Sequence, residues 1–220
     1  MRYAVPTYSY NEEHKEESLL LVISRIALDY SKSDTIKSMN LTFYPAFLGI
    51  LISIVSLTYL ARREYQSGQT HTISQLGAGH QKALRQFRAI LWVCGTLFTI
   101  TMLFYIAPRL HSPLMFVVWS LTYACEVLLG VIPDHKGWQR IWHNIFAWSM
   151  AAGFFVTATF FSLRLSGVYQ IISVFILAGM LVSAALIYFD HKRNLVYELS
   201  SIFLSHIGIL VAALYVAEYL

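Results

Sequence analysis

Apolar residues fall in six long runs along the chain, at 41–61, 89–107, 113–132, 141–162, 168–189 and 198–219. A hydrocarbon core about 30 Å thick, crossed at about 1.5 Å per helical residue, needs roughly 20 residues, and every run meets that length. The runs are continuously apolar instead of alternating, which excludes barrel strands, and in lipid a helix satisfies its own backbone hydrogen bonds. The pattern predicts an all-α fold, a polytopic membrane protein with a six-transmembrane-helix bundle. Pro45, Pro108, Pro113 and Pro133 lie at or near the ends of runs, where proline starts or stops helices.

Ahead of the first run, residues 1–40 form an N-terminal tail, so the chain divides into this tail and a transmembrane domain at 41–220. From Asn11 the tail reads as a helix: an Asn cap, acidic residues in the first turn, then Leu19, Val22, Ile23, Ile26 and Tyr30 at helical spacing. This amphipathic helix is too short to span and is expected at the membrane interface or packed on the bundle or a partner subunit. The start of the chain lacks the apolar core of a signal peptide, and no cleavage is expected. In the first loop, Gly77 and Gly79 are hinge points, and the stretch from His80 to Arg88 is expected to extend the second span as a basic helix.

Composition agrees with this picture. Of 220 residues 57% are hydrophobic and 13% charged, against about 25% charged in a soluble domain. The net charge of +4 raises the question of nucleic acid, but the basic residues sit at span ends, where topology and anionic headgroups account for them; no nucleic-acid partner is expected. Arg62, Arg63, Lys82, Arg85, Arg88, Lys136, Arg140, Lys192 and Arg193 fall in three alternate loops, whereas the opposite short loops carry only Arg109 and Arg164. The positive-inside rule puts the first three loops in the cytoplasm and both termini outside, with the plasma membrane as the expected location. Cys94 and Cys125 lie inside spans and form no CxxC pair, so they read as small packing residues.

Ionisable groups within a bilayer are costly, which makes the few present the candidates for chemistry. Glu126 lies in the third span, His143 with Asn144 opens the fourth, and His206 lies in the sixth, with Asp134 and Glu198 near cytoplasmic ends. Counting from Pro133 and from Glu198, Glu126 and His206 sit roughly 10 and 12 Å below the same boundary, and His143 roughly 3 Å below it. The three are expected to converge on a polar pocket open to the cytoplasm. A carboxylate beside an imidazole there suits a proton or cation site. Haem ligation by His143 and His206 is opposed by their roughly 9 Å difference in depth, and a metal-dependent hydrolase by the lack of an HExxH pair. The competing explanation is structural: Glu126 paired with an Arg or His of a neighbouring helix.

The segment Gly130-Val131-Ile132-Pro133-Asp134, followed by Trp142-His143-Asn144-Ile145-Phe146-Ala147, resembles a pattern in two groups of six-span proteins. These are the bacterial membrane proteins of the domain of unknown function 998 group and the eukaryotic DRAM/Sfk-type proteins. The resemblance implies Asp134, His143 and Asn144 as characteristic polar positions facing the cytoplasm and carries no catalysis with it.

These readings favour a small transporter or channel first, and a non-enzymatic accessory or assembly subunit second, with an intramembrane hydrolase or haem protein behind both. The lipid bilayer is the implied partner, with a homo-oligomer or larger membrane complex as a further one, and no cofactor is implied. For a pore, the threonines Thr96, Thr99 and Thr101 of the second span are the available polar stripe.

Overall fold

The computed structural model describes residues 43–66, 81–132, 137–189 and 194–220. The N-terminal amphipathic helix, the Gly77 and Gly79 hinge and Asp134 lie outside them. The described residues form six long helices and no strand: α1 (Tyr44–Gln66), α2 (Gln81–Thr101, continued by a π-helical turn Met102–Ile106 and a last turn Ala107–Arg109), α3 (Pro113–Val131), α4 (Trp138–Arg164), α5 (Gly167–Phe189) and α6 (Asn194–Tyr219). Each of the six is long and apolar enough to cross a membrane. The chain is thus a multi-pass, all-α integral membrane protein.

The helix starts follow from local chemistry. Pro113 opens α3 where its missing N–H costs nothing, and the Ser112 hydroxyl accepts from the Met115 N–H at 3.3 Å. Gly137, at φ 77°, caps α4 in a conformation that favours glycine. At the other end of α3, Ile132 is extended, the conformation favoured ahead of a proline. The basic stretch before the second apolar run is helical from Gln81, as its sequence predicts.

Pro108 falls near the end of the second span, as expected. It lies inside the last turn of α2, and the helix closes at Arg109. Proline lacks a donor and its ring crowds the carbonyl four residues back. The π turn just ahead of it, in which the Ala107 N–H reaches the Met102 carbonyl, widens the helix and absorbs that clash.

Each helix packs on its sequence neighbour, and α6 returns to α1 to close the ring. α6 also reaches α2 and α4 and is the most buried of the six; α5 is the most apolar and the least buried. The outward faces carry Leu121, Leu163, Phe175 and Val182, each more than half exposed. An apolar surface of that extent is covered by lipid in a bilayer.

Close packing around α3 depends on glycine. A Cβ on Gly153 of α4 would collide with the Thr122 side chain, and one on Gly95 of α2 would lie 2.5 Å from a carboxylate oxygen of Glu126. Small residues let helix backbones approach where lipid provides no hydrophobic drive. The result fixes α3, with Met115, Trp119, Thr122, Glu126 and Leu129 on its buried face, between α2 and α4.

Candidate functional site

Glu126 and His206 meet in the bundle interior. Both line one small cavity of about 20 Å³, together with Ser53 of α1, Cys94 of α2, and Met150 and Phe154 of α4. Glu126 is 6% exposed and His206 5%. The equal depth expected from counting along antiparallel helices is therefore matched by a shared cavity.

His206 is held on several sides. Its Nδ1 lies 3.0 Å from the Ser53 hydroxyl, its ring stacks on Phe98 at 4.2 Å between centroids, and Phe154 meets it edge-on at 6.2 Å. Glu126 is different. Among the described residues none donates a hydrogen bond to its carboxylate and no cation pairs with it. Arg88 of α2 gives a guanidinium N–H to the Val131 carbonyl at 3.3 Å. A cavity of this size accommodates about one water molecule, which is the partner the geometry leaves to the carboxyl group. The structural pairing of Glu126 with an Arg or His, which the sequence left open, is not made among the described residues.

His143 occupies a second, adjacent cavity. This one measures about 220 Å³ and is bounded by α4, α5 and α6, with Phe87 and Leu91 of α2 and Leu129 of α3 behind. Phe87, Leu91, Met150, Phe154 and Ile202 line both cavities and form the wall between them. The single convergent pocket expected from the sequence is thus two. His143 and Met150 are seven residues apart on one face of α4, so the two cavities are offset along the helix: His143 lies roughly 10 Å of rise nearer the helix start than Met150. The His143 ring is 2% exposed, and its Nδ1–H donates to the Ile132 carbonyl at 2.7 Å. A carbonyl only accepts, so Nδ1 carries a proton.

Asn144 is exposed and lines neither cavity. Asp134 lies outside the described residues. Among the described residues no group of three His, Cys, Asp or Glu side chains is arranged to hold a metal ion.

The threonines of α2 are committed elsewhere. Thr96 bonds the Tyr123 hydroxyl at 2.8 Å, Thr99 accepts from the Trp119 indole N–H at 3.0 Å, and Thr101 donates to its own helix at Leu97. They tie α2 to α3.

Two contributors escaped the sequence reading. Ser53 is nine residues before Arg62, roughly 14 Å into the membrane by helical rise, the layer of Glu126 and His206; counting hydroxyls as well as ionisable groups would have found it. The larger cavity follows from Ala147 and Ala151, one turn apart on α4, facing Ala184 of α5. Small residues at that spacing signal close packing or a groove with equal force. Set against models of known families, curated proteins and solved structures, the chain matches none of them.

Proposed function

We propose that this chain is a small membrane transporter that takes up a proton at Glu126. The observation that carries the reading is the carboxyl group itself: buried in the bundle, with no donor or cation among the described residues, beside a water-sized cavity that it shares with His206. An ionisable group kept in such a place costs stability and is retained for function. A proton is the ligand that neutralises it without further room, and an imidazole on the same cavity is a ready exchange partner.

The commitment of the α2 threonines to α3 favours a carrier over an open pore. The excess of basic residues in alternate loops supports a cytoplasmic side for those loops, with both termini outside, in a plasma membrane. Kinship with the six-span groups resembled by residues 130–134 and 142–147 belongs to the same reading and adds no chemistry to it.

The test is ion movement in proteoliposomes, read by an entrapped pH dye under imposed pH and cation gradients. Wild type acidifies or alkalinises the lumen with the gradient, and Glu126→Gln, equally folded in detergent, does so at least tenfold more slowly. Equal rates for the two proteins, or none in wild type, refute the proposal. Loss of folding in Glu126→Gln without any wild-type flux points instead to an accessory subunit stabilised by this residue.

A further inference from the structure

The larger cavity lies toward the open end of a helical hairpin. Only Leu165 and Ser166 separate α4 from α5, and near that turn the Gln170 side-chain amide donates to the Ser162 carbonyl at 3.1 Å. Ala147 and Ala184 each stand seventeen residues from the turn, counted from Arg164 and from Gly167, and so share a level roughly 26 Å from it. They line the cavity with Ala151; all three are half-buried, and side chains of one carbon leave the seam between the helices open there. Trp148, 74% exposed on the lipid-facing side of α4, borders the same space. Deeper in, the lining is formed by Phe154 and Met180, both buried.

The lining selects a hydrocarbon over water. A water molecule held inside a protein needs roughly two to four polar partners. Only His143, Glu198 and Ser201 of the lining are polar, all toward the starts of α4 and α6; the His143 Nδ1–H is given to the Ile132 carbonyl, and Glu198 has a partner of its own. The other lining residues are Phe, Trp, Leu, Ile, Met and Ala. An apolar cavity of about 150 Å³ already takes up a small hydrocarbon and stays free of water. This one, of about 220 Å³, is continuous at Trp148 with a surface that lipid covers. On α5 it runs from Met180 to Ile187, roughly 10 Å of helix or about a third of the hydrocarbon core, which suits the end of one chain.

We propose that one acyl chain of a bilayer lipid enters sideways between α4 and α5 and seats its end among Ala151, Phe154 and Met180, while its headgroup stays at the membrane surface and is not recognised. The site selects a chain and is indifferent to the head. Glu126 does not line it, and the inference stands whether or not the protein moves protons.

The full chain is reconstituted in phosphatidylcholine nanodiscs with a trace of the same lipid carrying a diazirine near the end of one acyl chain, illuminated, and mapped by peptide mass spectrometry. Wild type is labelled at Met180 and Phe154, 1% and 7% exposed, as well as at Phe175, 72% exposed on the lipid-facing side of α5. Ala151→Phe and Ala184→Phe each fill the seam and lower the label at Met180 and Phe154 about fivefold or more, with Phe175 unchanged as the internal reference. Phosphatidylglycerol with the same labelled chain marks the same residues equally. Label confined in wild type to outward residues such as Phe175, label at Met180 and Phe154 that survives either substitution in a folded protein, or a dependence on the headgroup overturns the proposal.

Discussion

Replacing Glu126 by Met separates a functional acid from a structural one, because the two assignments predict opposite signs of the change in stability. The side chain is 6% exposed, and no described residue donates to it. A carboxyl group that hydrogen-bonds freely in water retains space for about one water molecule in the cavity of about 20 Å³ beside it. Burial of a polar group so poorly compensated costs about 1–3 kcal/mol by mutational measures. Met has nearly the same length and volume, and such swaps change packing energy by less than about 1.5 kcal/mol. The balance is a net stabilisation of about 1 kcal/mol for Glu126→Met. Reversible unfolding in mixed detergent micelles measures it, with proton movement in proteoliposomes followed on the same preparation. The expected result is a protein more stable than wild type and without flux. A loss of 1 kcal/mol or more would show that the carboxyl group holds the bundle together and would remove the reason for assigning it to proton uptake.

Two further substitutions test the frame that positions it. Gly153→Ala sets a methyl group against Thr122, whose Cβ and Cγ2 already lie 2.9 and 3.1 Å from the new Cβ; a β-branched side chain cannot rotate clear, so α3 and α4 must separate at a cost of about 1–3 kcal/mol. Adding Thr122→Ala should recover most of that loss in the same unfolding assay, and additivity of the two changes would refute the contact. Thr99→Val removes the acceptor of the buried Trp119 indole and should cost about 0.6–1.7 kcal/mol, the range of interhelical bonds in membranes, with no cost in a Trp119→Phe background.

How much of this was legible in the sequence depends on which coordinate of a helix a residue pattern encodes. Length and apolarity report position along the membrane normal, so the six helices were readable to within a few residues at most ends, and so was the common layer of Glu126 and His206. Azimuth is poorly encoded when a span is apolar all round, since no polar stripe marks the inward face. His143 shows a limit along the axis as well: it shares a face of α4 with Met150 and Phe154 but lies two to three turns nearer the helix start, and the wall of Phe87, Leu91, Met150, Phe154 and Ile202 parts its cavity from that of Glu126. Pro108 marks a limit from the backbone side: its place near the span end was readable, and the π turn that accommodates its ring was not.

The glycines supply the azimuth that hydropathy lacks. Gly95 of α2 and Gly153 of α4 both receive side chains of α3, Glu126 and Thr122, which are four residues apart on one face of that helix. A helix clamped at two such seats cannot rotate about its axis without driving a side chain into a neighbouring backbone. Glu126 is thereby held toward α2 and the shared cavity, while Ile132 at the end of the same helix is held where His143 reaches it. Rigidity of α3 is what keeps a poorly partnered acid from escaping to the surface by a small rotation, and it makes Gly153→Ala, far from either polar group by chemistry, the substitution that should disturb both cavities together.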